Sequence, residues 1–398
     1  MSEFRTIREL CSVVADCPHS TPKWTANGKI VVRNNNIKHG RIDLSSPSYT
    51  DEEHFAQRIK RAKPQSGDII ITREAPIGDV GMIPENTECC LGQRMVLLRA
   101  DQSVCDNFYL LYSLQSLYVQ HQISWSEGTG TTVSNLRIPH LEQIRIPYLP
   151  LGQQTKISSV LRALEEKIEN NRRLNDNLQQ QAVAIFKSWF VEYSPFDGIN
   201  PKEWETVNLE KITSLISRGI TPKYSDNSGQ TVINQKCIRN HMIDLSLART
   251  HTPKVINEKW LHFGDLLINS TGDGTLGRTA QVWFQPQNIT VDSHVTIVRP
   301  ATENLIFYIG LWGILHEREI ESLHTGSTGQ TELPRERVKT LELFLPDNGT
   351  LDRFNTLIAP MATAIVSNQN ENNRLASLRD VLLPKLMSGE IDVSAVQL

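Results

Sequence analysis

The most regular hydrophobic pattern in the chain is a heptad repeat that starts at Ile157. Alternating steps of four and three residues reach Ile157, Leu161, Leu164, Ile168, Asn171, Asn175, Leu178, Ala182, Ile185 and Trp189. Apolar residues at this spacing form the contact seam of a coiled coil. The pattern predicts one long helix, which from Gln153 to Phe190 would measure ~57 Å at ~1.5 Å per residue.

A second copy of this seam lies 197 residues further along the chain. It runs through Phe354, Ile358, Met361, Ile365, Asn368, Asn372, Leu375, Arg379, Leu382 and Leu386, with asparagine at the same two layers. We expect the two helices to pair antiparallel, with Asn171, Asn175, Asn368 and Asn372 fixing the register of the coiled coil. A slipped pairing would bury an amide against hydrocarbon. The alternative is that these asparagines face solvent at a helix break.

Before each predicted helix the chain consists of short β-rich runs separated by Gly, Pro, Asn and Asp. Four segments of the first half recur in order in the second: "EFRTI" as "EWETV", "TPKW" as "TPKY", "GDIIIT" as "GDLLIN" and "EGTGTT" as "HTGSTGQT". This duplication predicts an α+β fold in which two similar globular domains alternate with the two helices, related by an approximate two-fold axis. The predicted boundaries are 1–150 and 197–346 for the domains, and 151–196 and 347–398 for the helical segments.

Composition is typical of an intracellular globular protein. The 398 residues are 39% hydrophobic, and no apolar run is long enough to cross a bilayer. The start, "MSEFRTIREL", lacks the basic and apolar regions of a secretory signal, so we expect a cytoplasmic protein. The six cysteines match neither zinc nor redox spacings, which favours reduced thiols and no metal site. A net charge of -3 neither suggests nor excludes nucleic acid, which local basic patches would have to hold.

Two similar domains held a fixed distance apart suit a long repetitive ligand, and duplex DNA is the obvious one. A helix of ~57 Å spans between one and two turns of B-DNA, at about 34–36 Å per turn.

Two segments carry a family resemblance. "LGQQTKISSVLRALEEKIENNRRLNDNLQQQAVAIFKSWFVEYSPF" resembles the central conserved region of the specificity subunits of type I restriction-modification enzymes, and "NNRLASLRDVLLPKLMSGEI" resembles their distal conserved region. The resemblance covers the whole chain in layout and is weaker inside the two globular domains, where members of the family that read different sequences would differ. Its most specific parts are "FKSWFVEYSPF" and "LLPKLMSGE".

The resemblance implies a non-catalytic DNA-binding subunit of a prokaryotic phage-defence system, with two target-recognition domains that read a split, asymmetric DNA site. It also implies two methyltransferase subunits and a restriction translocase subunit as partners. S-adenosylmethionine, ATP and Mg²⁺ would then belong to those partners, so we expect no cofactor in this chain.

The sequence has no motif that contradicts a non-catalytic role. It contains neither an Asn/Asp-Pro-Pro-aromatic tetrad nor a glycine fingerprint for S-adenosylmethionine between a strand and a helix. "GDGTLGRT" approaches a phosphate-binding loop, but the "AQVWF" that follows predicts a strand, so we expect a hairpin turn. "EEK", at Glu165 to Lys167, imitates the end of a nuclease motif, and we expect ion pairing on a solvated face. Two rivals remain: a self-contained enzyme, and a coiled-coil scaffold with lectin-like or peptide-binding ends.

Candidate DNA contacts are Lys, Arg, Asn, Gln and hydroxyl side chains, together with glycine-rich loops whose backbone can approach a phosphate. In the first domain they are Lys23, Arg33, Asn34, Asn35, Lys38, Thr72, Arg73, Gly128, Thr129, Gly130, Thr131 and Thr132. In the second domain they are Lys223, Asn234, Lys236, Asn269, Ser270, Thr271, Arg278, Gly326, Ser327, Thr328, Gly329, Gln330 and Thr331. For each, the alternative is an ordinary surface turn. "RIKRAK", from Arg58 to Lys63, fits DNA contact or the solvated face of a short helix, and the second interpretation is favoured.

Four aromatic residues follow the first predicted helix: Trp189, Phe190, Tyr193 and Phe196. The resemblance makes them candidates for docking the methyltransferase subunits. Packing at the junction with the second domain is the simpler interpretation.

Overall fold

The computed structural model describes residues 3–38, 40–125, 135–226, 229–326 and 331–393, without the side chain of Lys38. It divides into two compact units. The first comprises Met1–Glu169 and Asn372–Leu398, and the second comprises Asn170–Glu371. Each unit therefore contains one globular domain and parts of both long helices.

The strands and helices of the first globular domain follow its β-rich sequence pattern. Its strands are β1 (Glu3–Thr6), β2 (Cys11–Asp16), β3 (Lys29–Val32), β4 (Ile37–Lys38), β5 (Gly40–Ile42), β6 (Ser48–Thr50), β7 (Ile69–Thr72), β8 (Val80–Met82), β9 (Cys89–Leu91), β10 (Met95–Ala100) and β11 (Arg145–Tyr148). Its helices are α1 (Ile7–Leu10), α2 (Glu52–Arg58), α3 (Asn107–Gln115), α4 (Leu117–Trp125) and α5 (Ile138–Gln143), and the long helix α6 (Leu151–Phe190) follows.

Three sheets organise the described part of this domain. The largest has the order β2-β10-β7-β8-β5-β4, the second β6-β3-β9, and the third pairs β1 with β11. The buried core lies between the largest sheet and helices α3 and α4, and it includes Ile69, Leu98, Tyr109 and Val119. Leu161 of α6 and Leu386 belong to the same core, so the domain packs directly on the long helices of its unit.

The second globular domain repeats this plan. Its strands are β12 (Glu205–Asn208), β13 (Thr213–Arg218), β14 (Thr231–Ile233), β15 (Ile238–Arg239), β16 (Met242–Ile243), β17 (Arg249–Thr250), β18 (Leu266–Asn269), β19 (Thr279–Gln281), β20 (Ile289–Val291), β21 (Val295–Pro300) and β22 (Glu342–Leu345). Its helices are α7 (Ile306–Leu315), α8 (Glu317–Ser322) and α9 (Arg335–Lys339), and the long helix α10 (Asn348–Met387) follows. Among the described residues the sheet orders are β13-β21-β18-β19, β17-β14-β20, β12-β22 and β15-β16.

The repeated "GD" has the same structural role in both domains. Gly67 and Gly264 have φ angles of +84° and +89°, which glycine adopts without strain. Asp68 then accepts two hydrogen bonds from Arg99, both at 2.8 Å. Asp265, fully buried, accepts two from Arg299 at the same distance. This pair ties the start of the central strand to the neighbouring strand, so the motif is explained by folding alone.

The two long helices are equal in length and equivalent in position. Each has 40 residues, and their first residues, Leu151 and Asn348, are 197 positions apart, as the repeated seam predicts. Within the second unit, Phe186 contacts Phe354 and Asn175 contacts Asn368. Residue numbers rise along α6 as the partner numbers fall along α10, so the predicted antiparallel pairing is confirmed.

The asparagines lie in the seam rather than at a solvent-facing break. Asn171 and Asn175 are only 4% and 5% exposed. The Asn368 Nδ2 donates to Asn175 Oδ1 at 2.8 Å, and the Asn171 Nδ2 donates to Glu371 Oε2 at 2.7 Å. Asn372 is half-buried. A buried amide that meets another amide across the seam is the arrangement that fixes register in a coiled coil.

The prediction for Glu165 was wrong. Its side chain is 12% exposed, lies 3.5 Å from Arg379 Nη1 on α10, and accepts a hydrogen bond from the Tyr112 hydroxyl at 3.4 Å. Burial raises the pKa of this carboxyl above its ordinary value, although Arg379 and Arg41 oppose the shift. Glu165 is therefore an interior ion-pair residue because it lies beside the seam, where both helices and the domain meet in the first unit.

All six cysteines are buried and unpaired. Burial raises the pKa of Cys11 and Cys89 to about 12 and that of Cys90 to about 11. In the described part of the chain, neither α6 nor any other helix combines the length and hydropathy that a membrane span requires.

Candidate nucleic-acid interface

The structure brings together three of the sequence-predicted segments in the first domain. Arg73, which follows β7, donates to the Leu136 carbonyl at 2.9 Å and to Asp16 at 2.9 Å. Asn34, which follows β3, donates to the Glu74 carbonyl at 2.8 Å. The ends of β3 and β7 and the segment that resumes at 135 therefore form one connected surface.

The same three segments meet in the second domain. Ser270, which follows β18, accepts a hydrogen bond from the Leu333 amide at 2.8 Å. Asn269 donates to the Gln235 carbonyl at 3.1 Å, and the Thr271 hydroxyl donates to the Gln235 side chain at 3.2 Å. The repetition shows that the duplicated sequence segments build equivalent surfaces.

Several predicted contact residues support this surface from inside instead of facing solvent. Thr72, Asn269 and Ser270 are fully buried. The Thr72 hydroxyl accepts from the Asp79 amide at 2.9 Å, and the Ser270 hydroxyl lies 2.5 Å from that of Thr296. In this conformation the prediction that these three side chains contact DNA directly is wrong, because a buried strand end cannot reach a ligand.

Two predicted arginines are likewise held by the chain itself. The Arg73 side chain is 11% exposed and makes the bonds given above, so it positions the loops around it. Arg278 is half-buried and donates to the Gly274 carbonyl at 2.8 Å. It closes the turn between β18 and β19, which pair antiparallel. The "GDGTLGRT" segment is thus the expected hairpin turn, since a phosphate-binding loop would open a helix instead.

Other predicted residues do face solvent. Lys23, Arg33, Asn35, Lys223, Lys236 and Gly326 are exposed, while Asn34, Asn234, Thr271 and Thr331 are half-buried. Lys23 forms an exposed ion pair with Asp51 at 3.2 Å. Gly128 to Thr132, Ser327 to Gln330 and the side chain of Lys38 lie outside the described residues.

The "RIKRAK" segment is not simply a solvated helix face. Arg58 ends α2 and is buried, donating to the carbonyls of Ser20, Leu91 and Gly92. Lys63 is exposed and pairs with Glu88 at 2.8 Å. Arg58 therefore has a structural role, because four backbone segments converge on its guanidinium group.

Sequence reasoning missed an exposed aromatic residue in each domain that carries an arginine on its face. Trp24 is 46% exposed, and the Arg33 guanidinium carbon lies 5.1 Å from its ring centre. Tyr224 is 38% exposed, and the Arg249 guanidinium carbon lies 3.7 Å from its ring centre. The available signal was the repeat of "TPKW" as "TPKY", which had served only to show duplication.

The four aromatics after the first helix pack at the junction with the second domain. Phe190 lies 4.8 Å from Phe354 between ring centres, and Phe196 lies 5.2 Å from Trp204. Trp189 and Tyr193 border the same core. These contacts favour the junction-packing interpretation, because three of the rings are only half-exposed or less and Phe190 is 7% exposed.

Comparisons with known proteins agree with this architecture. A sequence model of the family described as "Type I restriction modification DNA specificity domain" matches residues 2–180. The "Type I restriction enzyme MjaIX specificity subunit" of Methanocaldococcus jannaschii is 26% identical over 402 aligned positions, which cover 95% of this chain and 87% of that protein. The chain belongs to the type I restriction-modification specificity subunits.

Further relatives support the same assignment. The "Type I restriction enzyme HindI specificity subunit" of Haemophilus influenzae is 22% identical, covering 60% of this chain and 67% of that protein. The crystal structure of a type I restriction-modification S subunit from M. genitalium has the same fold, with a TM-score of 0.57 over 97% of this chain and 96% of that chain at 16% identity. The protein is accordingly a non-catalytic DNA specificity subunit, which removes the self-contained enzyme as an alternative. In the part of the chain that the structure describes, no three His, Cys, Asp or Glu side chains are arranged to hold a metal ion.

Proposed function

We propose that each globular domain reads one half of a split, asymmetric DNA target. The observation that carries this proposal is the equivalent surface in the two domains, where the segments after β3 and β7 are joined as are those after β14 and β18. The frameworks are alike, whereas the solvent-facing side chains differ: Arg33 and Asn35 in one domain, Asn234 and Lys236 in the other. Similar frameworks with different exposed donors suit two different base sequences.

The first test of this proposal is to co-express the chain with the methyltransferase encoded next to it and to map methylated bases across the genome. The expected result is a motif with two defined parts separated by a fixed number of unspecified base pairs. A single continuous motif, or methylation without sequence preference, would contradict the proposal.

We further propose that the paired long helices set the spacer between the two half-sites. At ~1.5 Å per residue, each 40-residue helix is ~60 Å long. Deleting 172–178 from α6 and 365–371 from α10 removes two heptads centred on the facing Asn175 and Asn368, so the remaining seam layers stay in register.

This double deletion shortens the paired helices by ~10 Å, which corresponds to ~3 base pairs at ~3.4 Å each. The expected result is a preferred spacer shorter by that amount with both half-site sequences unchanged. Binding should also weaken, because about three base pairs rotate one half-site by roughly a third of a turn. A matched control replaces the same two heptads with leucine-seam heptads of equal length and should retain the original spacer. Changed half-sites with an unchanged spacer would refute the idea.

The catalytic partners are part of the same proposal. Two methyltransferase subunits and a restriction translocase subunit would supply the chemistry, together with S-adenosylmethionine, ATP and Mg²⁺. Exposed apolar side chains on the long helices support a docking role for those helices: Leu174 and Leu357 in the second unit, and Leu378 and Val381 in the first. These residues are 43–57% exposed, and apolar surface on a helix whose seam is already filled is typical of a partner contact.

Co-purification measures this docking. Leu378→Lys combined with Val381→Lys should reduce recovery of the methyltransferase with the tagged chain, while Arg374→Ala, an exposed change on the same helix, should not. Equal recovery with both variants would remove these residues from the interface.

A further inference from the structure

The exposed aromatic of the first domain and its arginine form a fixed pair, here called the first platform. Arg33 lies at the end of β3, where its amide donates to Asn36 Oδ1 at 2.8 Å and fixes the backbone. Its guanidinium group lies over the Trp24 ring and reaches the Ser48 hydroxyl at 3.4 Å. Among the described residues, no carboxylate forms an ion pair with Arg33. Trp24, Arg33, Ser48 and Tyr49 line an open pocket, so the outer edge of the guanidinium remains available to a ligand.

The second domain has an equivalent pair, the second platform, formed by Tyr224 and Arg249. The guanidinium carbon lies 3.7 Å from the ring centre, which is stacking distance. Arg249 begins β17 and is exposed, and no carboxylate in the described ranges pairs with it. Both domains therefore present a cation that is held by a ring and not by a counter-charge.

The two platforms receive their arginine from different strands. In the first domain Val31 of β3 faces Ser48 of β6, and in the second Val232 of β14 faces Arg249 of β17. These registers make Ser48 the structural counterpart of Arg249. Arg33, two residues after Val31, has Asn234 as its counterpart, two residues after Val232.

The domains have thus kept a guanidinium group on the aromatic face while changing the strand that supplies it. An arginine that only stabilised the framework would be expected at the framework position that needs it. Its presence at either of two positions around one ring points instead to a role for the stacked guanidinium group itself.

We propose that the stacked arginine of each platform reads a guanine in the half-site of its domain. This inference rests on the proposed function and assigns particular base-reading residues to it. A ring beneath the guanidinium fixes its plane, and its planar fork of N-H donors matches the O6 and N7 acceptors of guanine in the major groove. Because the arginine approaches from a different strand in each domain, the two platforms read guanines at different positions relative to their frameworks.

Phosphate is the other acceptor in DNA that suits a guanidinium fork. The exposed lysine directly before each aromatic, Lys23 or Lys223, already offers a cation for the backbone. The division of roles that follows is lysine to phosphate and stacked arginine to base. The two roles differ in their consequences, since loss of a phosphate contact weakens binding to all sequences alike and changes the salt dependence, whereas loss of a base contact relaxes one position.

The experiment selects binding sites for the full-length chain from a randomised duplex library, comparing wild type with Arg33→Lys and Arg249→Lys. Lysine keeps the charge but loses the planar fork. We expect Arg33→Lys to lose discrimination at one G·C pair of one half-site by roughly 10- to 100-fold, the range for a bidentate base contact. We expect Arg249→Lys to do the same in the other half-site, and each variant should leave the opposite half-site and the salt dependence unchanged.

Two further variants keep the test decisive. Trp24→Leu removes the ring and leaves the arginine, so it should weaken discrimination at the same G·C pair that Arg33→Lys affects. Arg374→Lys, on the exposed side of α10, is the matched control and should leave the motif intact. Melting temperatures close to that of wild type establish that each variant is folded.

The outcomes separate the inference from the proposal beneath it. A wild-type chain that selects no two-part motif would overturn both. A wild-type motif that survives in both lysine variants, or a uniform loss of affinity with no change of motif, would overturn the assignment of guanine reading while leaving the proposed function in place.

Discussion

The asparagine pair in the coiled-coil seam allows a quantitative prediction. Asn175 is 5% exposed, its Oδ1 accepts from Asn368 at 2.8 Å, and its own amide donates to the Ile365 carbonyl at 3.4 Å. If this pair fixes the register of the helices, replacing both members with leucine should cost little stability while relaxing the register. Replacing only one should be distinctly worse.

The magnitudes follow from which polar groups lose their partners. Asn175→Leu removes the acceptor of the Asn368 amide, and a buried donor without a partner costs about 1–3 kcal/mol. The added hydrocarbon of leucine offsets about 1 kcal/mol of this loss. We expect each single variant to be destabilised by about 1 kcal/mol. The double variant should be as stable as wild type or more stable by up to about 2 kcal/mol, as is usual when an apolar pair replaces a seam asparagine.

The measurement is a double-mutant cycle in urea, followed by far-ultraviolet circular dichroism, which reports mainly on the long helices. The expected coupling energy is about 2 kcal/mol, well above the roughly 0.5 kcal/mol within which independent sites add. A double variant destabilised by the sum of the single effects would refute the reasoning. In the assembled enzyme, the same double variant should accept a wider range of spacer lengths than wild type.

Two other predictions concern buried charges. Arg299→Met should destabilise the second domain by about 3–5 kcal/mol, because it leaves the fully buried Asp265 without its partner, and adding Asp265→Leu should recover most of that loss in thermal melts; an unchanged melting temperature for the single variant would contradict this. Because burial raises the pKa of Glu165 in the folded state, its carboxyl protonates more readily there than in the unfolded chain, and folding stability falls as the pH rises from the ordinary value of 4.5 through the raised one. Glu165→Gln should therefore gain melting temperature relative to wild type as the pH rises through that range, and a constant difference between the two proteins would show that the carboxyl has no such penalty.

Sequence reasoning was most successful for the long helices. A heptad seam states its own period, and the 197-residue offset aligned Asn175 with its equivalent without any structure. Antiparallel pairing followed because two copies of one seam in one chain have few other ways to bury it. The prediction was wrong for Glu165, since a residue beside the seam is exposed in an isolated pair of helices and becomes buried once a domain packs against them. That domain contact involves Tyr112, which no local pattern links to α6.

Within the domains, residue types indicated polar chemistry but not which side chains face solvent. Thr72 and Asn269 end equivalent buried strands, and their hydrogen bonds to loop backbone depend on turns that the chain forms far from them in sequence. The platforms were missed for the same reason. Trp24 and Arg33 are nine residues apart, but Tyr224 and Arg249 are joined only by the pairing of β17 with β14.

The buried strand ends and the exposed platforms together explain how a duplicated chain can read two sequences. Residues such as Thr72, Asn269 and Arg73 hold the loops by bonds to backbone atoms, which do not depend on the side chains those loops carry outward. Exposed positions such as Arg33 and its counterpart Asn234 are therefore free to change without disturbing the framework. A domain built in this way can alter its DNA preference by substitution at a few exposed positions, while the strand ends, the Asp265 type of ion pair and the seam remain fixed. Specificity and stability are then carried by different residues, which accounts for two domains with one framework and different exposed donors.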